Sequence, residues 1–594
     1  MILQALKEYY DRKAVEGTIA KKGWIRGGID FLIILDDFGN YQGIIDLREP
    51  EGRKKISHPM DVPNIGNQSL KHSNSGKDAN LLWDNASFIF GLGDKGDLRL
   101  ESMIKAIDQW LNLPKDTSIL AVRNFLEQGL KNRSIFEPLL SHREYGELFK
   151  DGSVKISFSI SKKNHIVFES KEVGDALLKG CDNEKEGKER TVTGTCLVTG
   201  EKNVPIERTH TVIKGVWGAQ SSGACIVSFN KDKVAFESFG KEQSNNAPVN
   251  KSVAGEYVKS LNHLLQSDQC IHIGDASTVF WSEKKTKFES DFSSLFSEPH
   301  KDDPGQGTRK IKALFDSVNN GAFVNDEGTS RFYILGLAPN AARIAIRFWQ
   351  VGTVAEFSQK IKTHFDDLAI VKPQKEPEYY SLWRLLVNIA TQDKSENIPP
   401  NVAGDLMRSI LTGSPYPATL LQSALRRIHS DTENRVKPVR AALIKAYLNR
   451  YHRIHINPNH KELLMSLDVS QPSIGYQLGR LFATLEKIQE EANPGLNATI
   501  RERFYGAACA SPASVFSNLL RLKNHHLAKM KSKGRVVNFE RLLAENIGKF
   551  PKGDNGFFDF PAQLDLHEQG RFAIGYYHQR QDLFTKKDDL NSSK

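Results

Sequence analysis

IGYQLGRLFATLEKI, residues 474–488, sets Ile474, Leu478, Leu481, Leu485 and Ile488 at steps of four and three. This is the apolar seam of a helix packed in a bundle. Residues 498–505, 514–531 and 538–547 continue the pattern, and upstream the helical texture reaches back to residue 376 almost without interruption. Before that point the period shortens and strand-like runs alternate with turns. The switch predicts an α+β chain of several domains. A mixed, sheet-containing body over residues 1–375 is followed by a basic helical connector over 376–464 and a helical bundle over 465–594.

Within the body, Ile2, Leu3, Leu6, Tyr9 and Tyr10 predict an opening amphipathic helix, and residues 31–35 and 43–47 flank turn residues 37–40 as a hairpin. Residues 151–169 read as a second hairpin around Lys162, Lys163 and Asn164, residues 256–265 as helix and 271–281 as strand. The Ser- and charge-rich segment 283–304 is expected to be exposed. GLGDKG, residues 91–96, formally matches GxGxxG but lacks a βαβ setting and a distal acidic residue, so it reads as a hairpin turn. Residues 305–310, GQGTRK, lack the GxxxxGK[ST] pattern of a phosphate-cradling loop. In YILGLAPNAARIAIRFW, residues 333–349, the second half is helix or strand. Either way Arg343 and Arg347 share a face, which suits two adjacent phosphates or two solvated arginines.

At 594 residues the chain can build several cores, and its 39% hydrophobic and 26% charged content excludes bulk disorder. The net charge of +10 favours polyanionic partners without requiring them. Five widely spaced cysteines, with no metal-ligand spacing, point to free thiols in a reducing cytoplasm. Neither a signal peptide nor a membrane-length apolar run is present, so no membrane partner is expected.

Residues 195–250 form a Gly-rich stretch between strand-like runs, with Gly215, Gly218, Gly223, Gln220, Ser221 and Ser222 in one loop and Gln243, Ser244, Asn245 and Asn246 in a second turn. Amides and hydroxyls of this kind read hydrogen-bonding edges; equally, Gly and Asn satisfy tight turns. The long polar segment 63–80, holding Lys71, Ser73, Asn74 and Lys77, is either functional or disordered. Residues 421–460 carry Arg426, Arg427, Arg435, Lys437, Arg440, Lys445, Arg450 and Arg453 against Asp431 and Glu433, with Tyr447 and Tyr451 interleaved. This excess favours phosphate contact over a merely solvated face. The basic run 521–535 is a second candidate surface. No HExxH, GxSxG or supported DxD cluster appears, so neither catalytic residues nor a metal or cofactor site is assigned.

Taken in order, MILQALKEYY, FLIILDDFGNYQGIIDLRE, NLLWDNASFIFG, CLVTGEKNVPIERTH, IKGVWGAQSSGA, SFGKEQSNNAPV, LGLAPNAARIAIRFW, LGRLFATLEKIQEEAN and FAIGYYHQR resemble, over nearly the whole length, the large subunit of the type I-C CRISPR surveillance complex, Cascade. One departure is Ala338, where that family more often has Ser. The resemblance implies a non-enzymatic subunit of a guide-RNA complex. Such a subunit recognises the PAM beside a double-stranded DNA target, helps open the duplex into an R-loop, holds the displaced non-target strand and recruits a separate helicase-nuclease. It implies backbone, RNA-processing and small subunits as neighbours, and a small-subunit-like character for residues 465–594, with an internal start at or near Met465 as the route to a separate small subunit. Onto this sequence it places PAM recognition at Lys71, Ser73, Asn74, Lys77, Gly218, Gln220 and Ser221, and phosphate contact at Arg343, Arg347, Arg426, Arg427, Arg440, Lys445 and Arg450. The alternative is a nucleic-acid-processing nuclease with an unrecognised site.

Overall fold

The computed structural model describes residues 1–52, 54–65, 77–111, 114–161, 165–182, 192–229, 240–273, 276–298, 305–320, 324–431, 435–455, 461–550 and 559–584. The chain forms two compact units, residues 1–211 with 227–263, and residues 212–226 with 264–594.

The first unit opens with the helix Ile2–Val15, whose Leu6, Tyr9 and Tyr10 are buried as the spacing predicts. Its main sheet has the order Tyr41–Asp46, Phe31–Leu35, Lys155–Ile160, Trp83–Asn85, with Phe31–Leu35 parallel to Lys155–Ile160 and the other pairs antiparallel. In the predicted hairpin between the first two of these strands, Asp36 Oδ1 accepts from the backbone N–H of Phe38 and of Asn40. Residues 91–96 do not form a hairpin turn. They link the short helix Ala86–Ile89 to the helix Gly96–Leu111. The second predicted hairpin keeps one strand, Lys155–Ile160, and closes through a single bridge between Ser159 and Ile166 before a 3-10 turn.

The second unit holds an antiparallel sheet, Cys270–Ile273, Ala276–Ser282, Arg331–Asn340, Arg343–Thr353 in spatial order. The expected strand over 271–281 is therefore two strands, and 339–349 resolves not as helix but as the end of one strand, a turn at 341–342 and the start of the next. On one face Phe280, Phe332, Ile334 and Phe348 join the core of the helices that follow. Segment 283–304 is not a plain exposed loop. Its helix Lys287–Phe296 buries Phe288, Phe292, Leu295 and Phe296, an i, i+4, i+7, i+8 stripe that its serines and charges mask in composition.

The same core runs on through the helices to the C-terminal helix Leu566–Phe584. The opening seam residues Leu478, Leu481, Leu485 and Ile488 are buried, but so are Gln477, Arg480, Thr484 and Glu486 of the same helix, Ile474–Ala492. It is wrapped on all sides. It runs parallel to Leu566–Phe584 at glycine-permitted distance, since a Cβ at Gly479 would stand 2.0 Å from the Phe572 carbonyl oxygen. Glu568 joins the two first turns, accepting from Ser473 Oγ and Gly475 N at 2.7 Å each.

Candidate nucleic-acid interface

In the second unit, Ile213 and Ala224 exchange both backbone hydrogen bonds (2.8 and 2.9 Å), closing a loop over residues 214–223. Its base is fixed twice more. Cys225 N donates to Ala342 O and accepts through its carbonyl from Ile344 N (3.2 and 2.9 Å), a parallel bridge to the strand Arg343–Thr353, and Trp217 N donates to Ser277 Oγ at 2.9 Å. The closure depends on Gly223, which sits at φ +96° with Ile213 O only 2.9 Å from where a Cβ would be. Gly218, at φ +74°, lies beside Pro339.

Lys214, Trp217, Gln220, Ser221 and Ser222 are exposed on this loop. The structure thus brings Gly218, Gln220 and Ser221 together, as the sequence suggests, and adds Trp217. Its indole is 63% exposed, with its ring centroid 5.2 Å from that of His272. Sequence reasoning passed over this residue, although a tryptophan stands out as the one large ring inside a Gly-rich polar loop. The second polar turn is different. Residues Gln243–Asn246 form a 3-10 turn in the first unit, where Gln243 accepts from Arg208 and Asn246 donates to Lys241 O and Gln243 O.

Arg343 is half-buried at the start of its strand, beside the Cys225 bridge, and Arg347 is exposed. The even spacing behind the expectation of one face is interrupted between them: the register shifts from Ile346 opposite Leu337 to Phe348 opposite Gly336, a β-bulge at Arg347. Lys77 is exposed in the first unit, while Lys71, Ser73 and Asn74 lie outside the described residues.

The basic helices need the largest correction. Arg426 is exposed, and Arg427 is half-buried with Asp431 at 2.8 Å and Asp393 at 3.4 Å. Arg440 is wholly buried, donating to Asn388 O, Asp431, Arg435 O and Asp393. Lys445 Nζ donates to Asp367 O at 2.8 Å, and burial pushes its pKa down. Arg450 donates to Ser414 O and Ser409 O at 2.7 Å each and lies over the Tyr416 ring. Arg440, Lys445 and Arg450 are internal struts rather than phosphate ligands. Their helix, Pro438–Ile454, is buried on all sides from Val439 to Arg450, so these three cations meet the protein's own carbonyls, carboxylates and rings. The spacing of five holds the signal, because it turns each cation well away from the last instead of building one basic stripe.

Within the run 521–535, Arg521, Lys529, Lys531 and Lys533 are exposed, and Arg535 pairs with Glu491. Among the described residues no group of three His, Cys, Asp or Glu is placed to hold a metal ion, and no helix is long and apolar enough to cross a membrane. Cys196, Cys225, Cys270 and Cys509 are free thiols.

No curated protein matches the chain in sequence. The model of the CRISPR-associated protein family Cas_Csd1 matches residues 6–584, nearly the whole length. The chain therefore belongs to the Cas_Csd1 family, the large subunits of type I-C CRISPR surveillance complexes.

Proposed function

We propose that the loop 214–223 reads the PAM beside the DNA target. The observation that carries this reading is one exposed set, Trp217, Gln220 and Ser221, on a loop whose ends are locked by backbone bonds to each other and to a sheet. A held amide and hydroxyl donate to and accept from base edges with little ordering cost, and an exposed indole is suited to press against a base step. If the approach is from the minor groove, whose pattern is degenerate, some tolerance at the PAM follows.

The complex would then open the duplex, with guide RNA reading sequence by base pairing. The exposed cations of the run 521–535 would hold the displaced strand, and cleavage would fall to a separate helicase-nuclease, this chain being non-catalytic. The test is binding of the assembled complex to targets with randomised flanks. Gln220→Ala is expected to lower flank selectivity by about 1–3 kcal/mol per misread pair while leaving non-specific binding intact. Unchanged selectivity in Gln220→Ala and Trp217→Ala overturns the assignment.

A further inference from the structure

A cavity of about 890 Å³ lies among the helices of the second unit. That volume is in the range that holds a small organic ligand. Lys375, Arg384, Arg435, Lys437, Arg501 and Arg580 line it, and among the described lining residues Glu376 is the one carboxylate. Most of these cations have acidic partners set outside the lining. Arg384 pairs with Glu298, Lys437 with Asp393 at 2.6 Å, Arg501 with Glu502 at 2.6 Å and Arg580 with Glu486 at 2.6 Å.

Lys375 is exposed, and Arg435 is the buried exception. It is 7% exposed, and its terminal nitrogens donate to carbonyl oxygens, those of Ile428 (3.3 Å), His429 (2.9 Å) and Glu502 (3.3 Å). Its Nε is buried with no hydrogen-bond partner, and no carboxylate pairs with it among the described residues. A full charge taken out of water and met by carbonyl dipoles alone is an unfinished arrangement, and an anion entering the cavity would complete it.

The cavity also carries an aromatic surface that the fold leaves unused. Trp383 stands at the start of the helix Leu382–Ile389, which Ser381 caps, and its indole is 47% exposed. It has no ring, cation or hydrogen-bond partner among the described residues, whereas Phe584, which also lines the cavity, already sits beneath Lys487 and Arg580. A guanidinium matches phosphate geometry and an open indole accepts any base face.

We propose that this cavity binds a nucleoside phosphate, the phosphate on Arg435 and the base stacked on Trp383. The ligand is either a free nucleotide or one nucleotide unit of a single strand. An acidic peptide could supply the anion but would leave the indole without a stacking partner. The inference is independent of the loop 214–223, whose assay reads flank selectivity through Gln220, so failure of one leaves the other standing.

The test titrates the full chain with deoxyadenosine monophosphate, inorganic phosphate, deoxyadenosine and a short oligodeoxyadenylate, following heat and tryptophan fluorescence. The mononucleotide is expected to saturate and to bind about tenfold tighter than phosphate or the nucleoside alone, with Trp383→Ala and Arg435→Gln each weakening it about tenfold. Arg435→Gln removes bonds to three carbonyls and could unfold the chain locally; Trp383→Ala removes a half-exposed ring and keeps the test decisive. Saturable binding of the oligonucleotide alone, lost in Trp383→Ala, supports the site and assigns its source to a strand. Equal affinity for phosphate and mononucleotide, affinity unchanged in Trp383→Ala, or no saturable binding of either nucleotide form overturns it.

Discussion

The loop 214–223 and the helix Pro438–Ile454 both look suited to nucleic acid in the sequence, one through amides and hydroxyls, the other through arginines and lysines. The structure separates them. The largely uncharged loop, with Lys214 its one cation, stands in solvent on a hydrogen-bonded base, while the charged helix is interior and spends its cations on the protein's own acceptors. Charge type says what a residue can bind. The pattern of the residues around it says whether anything from outside can reach it.

The strongest way to break this comparison is at Arg440. If it is a strut, Arg440→Ala leaves Asp431, Asp393 and the Asn388 carbonyl without their buried donor, and should cost about 3–5 kcal/mol of unfolding free energy. Arg426→Ala, on an exposed residue of the helix Ala418–Ser430, should stay within about 0.5 kcal/mol. Urea titrations of the two variants decide it. An Arg440→Ala chain as stable as the parent, but weaker on DNA, would return the residue to the phosphate-binding role first given to it.

The interior also carries a pH signature that the loop lacks. His364 and His578 are buried, each with Nδ1 on a tyrosine hydroxyl, Tyr416 at 2.6 Å and Tyr476 at 2.9 Å. Burial pushes both imidazoles down to about 3. The unfolded chain, with histidine near 6.5, takes up these protons first, so their contribution is complete above about pH 6.5 and is lost as pH falls from there toward 3. At pH 5 the loss is about 2 kcal/mol for each histidine. The urea midpoint should drop between pH 7.5 and pH 5, and His364→Gln should make that drop smaller, the remainder coming from His578 and from the other histidines that burial holds down, His210 among them. A midpoint flat over this range would mean that these imidazoles are not held neutral.

What could be read in advance follows the range of the interactions. The seam Leu478, Leu481, Leu485, Ile488 is a local repeat, and so were the opening helix and the hairpin around Asp36. The helix Lys287–Phe296 was also local, but its phenylalanines were hidden among serines and charges. Arg440 could not be placed from sequence because its acceptors Asn388 and Asp393 lie on a distant stretch of chain, and only packing brings them to it. Gln220, Ser221 and Gly218 were legible because a Gly-rich loop between strands is itself a local pattern. Trp217 was visible but lacked a context, and Trp383 gains meaning only from a cavity whose walls come from well-separated segments.

The smallest expected effect on stability tests whether any basic surface of the helical part faces outward for use. Lys531 and Lys533 are exposed, and Lys533 opens the helix Lys533–Ile547, whose first turn has no acidic residue. A cation at a helix N-terminus opposes the backbone dipole, so Lys533→Glu should leave stability unchanged or raise it by a few tenths of a kcal/mol. A charge that its own helix disfavours adds nothing to folding, and its exposure leaves it open to an external anion. If the displaced strand is that anion, the double variant Lys531→Glu, Lys533→Glu should weaken single-strand binding for all sequences alike. It should also reduce the salt slope by about 1.4, two contacts at about 0.7 each. A slope that does not move would confine the strand to other surfaces, even with the fold intact. The opposite pairing of outcomes, lost stability with an unchanged slope, would class this run with the helix of Arg440 rather than with the loop of Gln220.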